Sequence, residues 1–189
     1  LGGWRLHTTV SGLVDAAVDS DEAALDLIKR FLSYMPSHAN EAPPVASVPA
    51  GSDEAAARVM DIVPPERTKV YDMRKVIGAL ADRDSVLELK AGYGRAATTA
   101  LARLDGHTVG FIANNPMFKG GAVDPDGCAK VTSFLVLCDS FNIPIILLVD
   151  VPGFLIGVEG ERRGAPGRII NWMNALSLVT VPKISLIMR

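Results

Sequence analysis

From Ile143 to Val149 the chain is apolar at every position, Pro144 included, and at Asp150 it breaks into a loop carrying Pro152, Gly153 and Gly157. Unbroken rather than alternating apolar character fits a strand covered on both faces. Its exposed backbone is then confined to the carboxyl end, where ligands dock in α/β sheets. Around this strand the pattern predicts helices over Asp21 to Tyr34, ended by Pro36, and over Asp72 to Asp82, with Met73, Val76, Ile77 and Leu80 on one face. Further helices fit Asp124 to Phe141 and about Arg168 to Leu178. Short strands fit Val86 to Leu89, Thr98 to Leu104, Thr108 to Ala113 and Val181 to Met188, with Asp105-Gly106 as a hairpin turn. The opening up to Gly12 reads as irregular, and Ser37 to Pro65, rich in Pro, Ala, Ser and Asp, reads as a linker or extended crossover. The order strand, helix, strand, loop, helix, strand implies an α/β fold with at least partly parallel pairing.

Composition narrows the class. Of 189 residues, 49% are hydrophobic and 21% charged, enough apolar material for one or two ordinary cores. A net charge of −2, with no basic run longer than a pair, argues against a nucleic-acid or anionic-membrane surface. Cys128 and Cys138 share a predicted helix ten residues apart, too far to bridge, and read as reduced core residues of a cytoplasmic or organelle-matrix protein. No apolar run reaches the roughly 18 residues of a membrane span, and the first residues do not resemble a signal peptide. Because the chain opens on Leu1 and closes on Arg189 beside a strand-like stretch, it reads as a piece of a longer protein.

Familiar catalytic signatures are missing. His7, His38 and His107 stand alone, and neither His-x-x-x-His nor Cys-x-x-Cys occurs, so no metal site is expected. Gly-x-Ser-x-Gly and the Gly-Lys-Ser/Thr phosphate loop are absent too, and Lys119-Gly120-Gly121 reads as a turn before a helix. Catalysis, if present, would come from backbone amides aimed at a developing oxyanion. The loop from Pro152 to Gly157 offers one place for them.

Taken in order, Leu1-Gly2-Gly3 with His7, Val10-Ser11-Gly12, Ile62-Val63-Pro64, Tyr71-Asp72-Met73, Ala113-Asn114-Asn115-Pro116, Cys138-Asp139-Ser140-Phe141-Asn142-Ile143-Pro144, Val149-Asp150-Val151-Pro152-Gly153-Phe154 and Val181-Pro182-Lys183 span the whole chain. This series resembles the carboxyltransferase (β) subunit of biotin-dependent acyl-CoA carboxylases, propionyl-CoA carboxylase type. The resemblance implies a crotonase-like spiral fold. Residues 1–36 would close an N-terminal domain, 37–69 connect, and 70–189 open a C-terminal domain. It implies transfer of a carboxyl group from carboxybiotin to the α carbon of propionyl-CoA or a similar short acyl-CoA, through an enolate held by two backbone oxyanion holes. Biotin on a carrier domain and a biotin carboxylase partner follow, as does a homo-oligomer, typically a hexamer, in the cytoplasm or a mitochondrial matrix. By the same comparison the oxyanion glycines lie outside residues 1–189, so this segment alone is expected to be inactive.

Val151, Pro152, Gly153, Phe154 and Gly157 are the candidates for the biotin pocket wall, the alternative being a tight exit from a buried strand. Leu1, Gly2, Gly3 and His7 are the candidates for the acyl-CoA side, the alternative being ordinary packing. Arg162, Arg163 and Arg168 read either as contacts for phosphates or carboxylates or as a solvated face. One departure bears on substrate: where the family pattern has Arg-His-Gly, this chain has Gly167-Arg168-Ile169, and Ile156 replaces a proline. Pro166 would sit comfortably in the first turn of a helix. Two other readings are open: a biotin-dependent decarboxylase subunit of a sodium pump, and a non-catalytic binding or assembly domain.

Overall fold

A computed structural model describes residues 2–66 and 68–188, and among them five strands form one mixed sheet in the order β1-β2-β3-β4-β5. β1 (Leu87–Leu89), β2 (Ala97–Leu104) and β3 (His107–Asn114) make an antiparallel meander. β4 (Ile145–Val149) and β5 (Lys183–Ile187) continue it in parallel. The turn between β2 and β3 is the one the sequence announces. Asp105 and Gly106 both take left-handed backbone, φ 49° and 77°, as a two-residue primed turn requires. The Asp82 carboxylate then accepts from both of their N–H groups, at 3.1 and 2.8 Å.

Parallel pairing needs crossovers, and two helices supply them. α6 (Pro125–Ser140) joins β3 to β4, and α8 (Ala165–Leu178) joins β4 to β5. Asp124 caps α6 by accepting from Gly127 N at 2.8 Å, with Pro125 at the first helical position, where its missing N–H costs nothing. Pro166 lies in the first turn of α8, which therefore begins before Arg168. On the opposite face lies α5 (Met73–Leu80).

The strands sort their side chains between these layers. Val109, Phe111 and Ala113 of β3 pack with Met73, Val76 and Ile77 of α5, while Ile112 turns to Val131, Phe134 and Leu135 of α6. In β4, Ile145 faces α6 and Leu148 faces α5, each 1% exposed, which is the two-faced burial that its unbroken apolar run predicts. Gly110 fits the same alternation. A Cβ there would lie 2.6 Å from Cys138 Sγ, so the missing side chain is what lets α6 approach the sheet.

Several elements differ from the sequence expectation. The opening contains a helix, α1 (Gly3–Thr9), whose residues are exposed or half-buried. With no buried stripe it leaves no apolar rhythm to read. α2 (Asp21–Leu32) stops two residues before Tyr34, whose side chain is buried with its hydroxyl on Ser85 O at 2.5 Å. The proline-rich stretch holds two short helices, α3 (Ser52–Ala56) and α4 (Val59–Ile62), and Val59 and Ile62 pack against the α5 side of the core. It is therefore not purely an extended connector. A further short helix, α7 (Val158–Arg162), follows the Gly157 turn, and β5 forms as expected but with all five residues exposed.

Asp72 caps α5, accepting from Arg74 N at 3.1 Å, and is gripped by the Arg74 guanidinium at 2.7 to 3.0 Å. That guanidinium, aided by Asn115, holds the carboxyl at about 2 against an ordinary 3.8. Since the folded value lies below the unfolded one, the stabilisation is complete above about pH 4 and is lost as pH falls toward 2. For a pair partly open to solvent it is worth on the order of 1 kcal/mol. Asp72→Asn should therefore flatten the acid limb of stability against pH in urea titrations. An unchanged slope between pH values of about 4 and 2 would count against the pairing.

Candidate active site

Where β3 and β4 run out side by side, the chain ties their ends together. Asn114, 6% exposed, accepts from Asp150 N through Oδ1 at 2.7 Å and donates from Nδ2 to Asp150 O in a close contact. One amide side chain thus takes the place of a sheet ladder at the point where β4 turns away. From α5's approach, Tyr71 donates its hydroxyl to Asp150 Oδ2 at 3.0 Å. The Asp150 backbone and carboxylate are both held, and the loop beyond starts from a fixed direction.

The loop is then stitched to the residues before α6. Val123 N donates to Gly153 O at 3.1 Å and Leu155 N donates to Val123 O at 2.9 Å, an isolated parallel bridge between Val123 and Phe154. Phe154 meets Trp172 of α8 edge to face, 5.4 Å between ring centres at 88°. Gly153 and Gly157 have φ of 141° and 131°, yet a Cβ at either would touch nothing. The demand for glycine here is conformational, not steric.

Two cavities adjoin this loop. One of about 450 Å³ is lined by Thr68, Val70, Pro116, Gly120, Asp150, Val151 and Pro152. The other, about 200 Å³ and apolar, lies beneath it between Ile112, Leu147, Val151 and Trp172. Trp172 Nε1 is buried with no hydrogen-bond partner among the described residues. A cavity of about 690 Å³, lined by Arg30, Arg58, Arg83 and Asp82 among others, sits at the hairpin end of the sheet. It is larger, but it lies at the wrong end of β3, away from the carboxyl ends where parallel strands present ligand-binding loops.

Charge surrounds the strand ends in fixed pairs. Asn115 Nδ2 donates to Asp72 Oδ1 at 2.8 Å, Arg95 lies 4.0 Å over the Phe118 ring, and Lys119 pairs closely with Asp124. Asp126, at the start of α6, receives Arg163 at 2.5 Å and the Tyr93 hydroxyl at 3.1 Å. Arg163 is thereby a structural partner, whereas Arg162 and Arg168 remain exposed. Burial pushes the Cys128 and Cys138 thiols up to about 11 and about 12, which keeps them protonated and inert. Among the described residues no group of three His, Cys, Asp or Glu is placed to hold a metal. What the strand ends offer a ligand is shape, apolar contact and backbone.

Val151, Pro152, Gly153 and Phe154 are thus brought together around the two cavities or the stitch between them, and Gly157 turns the chain into α7. Leu1 lies outside the described residues. Gly2 and Gly3 open α1, and His7 Nδ1 lies 2.9 Å from Ser11 Oγ on an exposed surface. Among the described residues none of these three hydrogen-bonds to the 150–157 loop. Sequence reading gave no role to Asn114, Tyr71 or Trp172. The available signal for Asn114 was its place beside Asp150 at the ends of two neighbouring parallel strands, Ala113 pairing with Leu148.

A glycine-bearing loop at the strand ends of a sheet is where α/β proteins bind ligands, and comparison with known proteins shows the family to which the chain belongs. The family model described as the carboxyl transferase domain matches residues 1–189, and the chain belongs to that family. It is 39% identical over 189 residues to the methylmalonyl-CoA carboxyltransferase 12S subunit of Propionibacterium freudenreichii subsp. shermanii, covering 100% of this chain and 36% of that one. It is 37% identical over 196 residues to the biotin-dependent acetyl-/propionyl-coenzyme A carboxylase beta5 subunit of Mycobacterium leprae, again 100% of this chain and 36% of the relative. The transcarboxylase 12S crystal structure, a hexamer assembly with hydrolysed methylmalonyl-coenzyme A bound, superposes with a TM-score of 0.94 at 38% identity, over 100% of this chain and 37% of that one. The fold is crotonase-like, as the resemblance implied. The chain spans little more than a third of the length of these relatives. No helix among the described residues is long and apolar enough to cross a membrane.

Proposed function

We propose that this chain is the central part of an acyl-CoA carboxyltransferase, a component that receives a carboxyl group from carboxybiotin and places it on the α carbon of propionyl-CoA or a similar short acyl-CoA. The observation that carries the reading is the clamped, glycine-bearing loop at the end of β4, in a chain that belongs over its whole length to the carboxyl transferase family. In this reading residues 1–36 end an N-terminal domain, 37–69 connect, and 70–189 begin a C-terminal one. The protein works as a homo-oligomer, a hexamer, with a biotin carboxylase and a biotin carrier.

Biotin is a compact bicyclic ring with a polar ureido group, and the cavity of about 450 Å³, walled by Val151, Pro152 and Pro116 on one hand and by Thr68 and Asp150 on the other, has the size of a small-molecule site. Bound there, carboxybiotin would supply the activated carboxyl group. The chain's own part is positional. Asn114 and Tyr71 fix Asp150, Pro152 removes a donor and sets direction, Gly153 lets the backbone turn at φ 141°, and Phe154 locks the loop to α8. Gly2, Gly3 and His7 contribute on the acyl-CoA side. Holding two reactants in register is itself a large part of catalysis where no side-chain acid or base is used.

The test uses the full-length protein with its biotin carboxylase and carrier, ATP, bicarbonate and propionyl-CoA, following methylmalonyl-CoA formation. Absence of product with every partner present overturns the carboxylase reading, and conversion of methylmalonyl-CoA to propionyl-CoA with no requirement for ATP or a biotin carboxylase would point to the decarboxylase reading instead. Gly153→Val places a branched residue at φ 141° and should lower carboxyl transfer to free biotin about tenfold or more while leaving the KM for acyl-CoA nearly unchanged. Equal loss of both would remove the loop from the biotin side.

A further inference from the structure

α6 carries a lysine almost wholly withdrawn from water. Lys130 is 1% exposed, and its Nζ donates to Ala97 O at 2.8 Å, its one hydrogen-bond partner among the described residues. A protonated amine carries three N–H donors, so this setting suits the neutral form better. Burial pushes the ammonium down to about 8 despite the opposing pull of Glu88.

Lys130 also lines a cavity of about 250 Å³ between α2, the sheet and α6, with Phe31 and Leu137 among its apolar walls. Lys90 lines the same cavity, its ammonium held by Asp15 at 3.2 Å and Gly12 O at 2.5 Å. The Thr99 and Ser133 hydroxyls there already donate to Leu89 O and Lys130 O. Lys130, with one hydrogen-bond partner among the described residues, and Lys90, tied to Asp15 and Gly12, thus line one space large enough for a small group.

We propose that Lys130 is a reversible carbamate site, its amine taking up carbon dioxide and projecting the new carboxylate into the cavity shared with Lys90. The nitrogen lone pair forms the N–C bond, one C–O π pair moves onto oxygen, and one nitrogen proton leaves to water or bicarbonate. Nothing is oxidised or reduced. The planar carbamate nitrogen keeps one hydrogen, enough to retain the bond to Ala97 O. The anion gains the Lys90 ammonium as neighbour, while Glu88 from β1, Asp15 and Asp124 oppose it and Arg74 assists. Uptake rises with pH as the Lys130 amine loses its proton. Ala97 pairs across the ladder with Asn114, so the modification lies one strand from the clamp that fixes the β4 loop. The inference stands apart from the carboxyl-transfer reading, since its reactant is dissolved carbon dioxide.

The experiment equilibrates the full-length protein with ¹³C-labelled bicarbonate and carbon dioxide, traps carbamates by alkylation with an oxonium salt, and identifies labelled peptides by mass. Label is expected on Lys130 at least tenfold above that on Lys29 and Lys69, which are exposed, and it should be absent in Lys130→Gln. Lys90→Met leaves the reacting amine in place and should weaken uptake at Lys130 several-fold. Label on Lys130 no greater than on the exposed lysines, or uptake unchanged in Lys90→Met, overturns the proposal.

Discussion

Asn114→Ala is expected to cost about 2–4 kcal/mol of stability and to release the start of the 150–157 loop, because it removes two hydrogen bonds to the Asp150 backbone at once. Both the N–H and the C=O of Asp150 find their partner on the Asn114 amide, itself 6% exposed, and alanine offers neither. Asn114→Asp should be about as damaging. It keeps an acceptor for Asp150 N but turns a carboxylate oxygen toward Asp150 O. Urea denaturation reads the loss as a lower midpoint at unchanged slope, and amide exchange should accelerate over 151–155 before anywhere else. A loss below about 1 kcal/mol would mean that the clamp is dispensable.

Gly110→Val should be the most damaging change in the core, about 3 kcal/mol, and its cause is contact and not backbone strain. The new Cβ would lie 2.6 Å from Cys138 Sγ and 3.0 Å from the Phe134 ring, both buried parts of α6. Either the helix lifts from the sheet or both side chains leave their rotamers. The proposed cause can be isolated with a cycle: in a Cys138→Ala background, where the sulfur is gone, Gly110→Val should cost at least about 1 kcal/mol less. Additive losses in the double variant would place the strain elsewhere.

How far the sequence revealed this molecule depended on how local the determining physics is. β4 and α6 were legible because burial on both faces writes an unbroken apolar run and a one-sided helix writes a periodic one. The Asp105-Gly106 hairpin was legible because left-handed backbone restricts the residues that can occupy it. α1 was not, since a helix with no buried face is held by local bonds, such as Thr9 Oγ1 to Arg5 O at 2.7 Å, that leave no pattern. Nor were α3 and α4, which are held by long-range contacts, Ser52 of α3 accepting from Arg83 N at 3.2 Å and Val59 and Ile62 of α4 packing on the α5 side of the core. The loop at Pro152 and Gly153 was found because a strand end can be seen in sequence. Its clamp was not, because Asn114 and Asp150 are separated by a whole crossover helix and meet only through parallel pairing. Two intervening strands likewise hid the Asp82 carboxylate that caps the hairpin turn from the α5–β1 connection.

The two tryptophans of this chain occupy opposite settings, and that gives the molecule a built-in optical reporter. Trp4 is 58% exposed on α1, whereas Trp172 is half-buried, stacked edge-on against Phe154 and lining the apolar cavity behind the β4 loop. Emission from Trp4 should be red-shifted and readily quenched by iodide, and emission from Trp172 blue-shifted and shielded. Silencing the first as Trp4→Phe leaves an indole whose colour follows whatever enters or leaves the space beside the loop, so movement at the strand end can be timed in solution without attaching a dye.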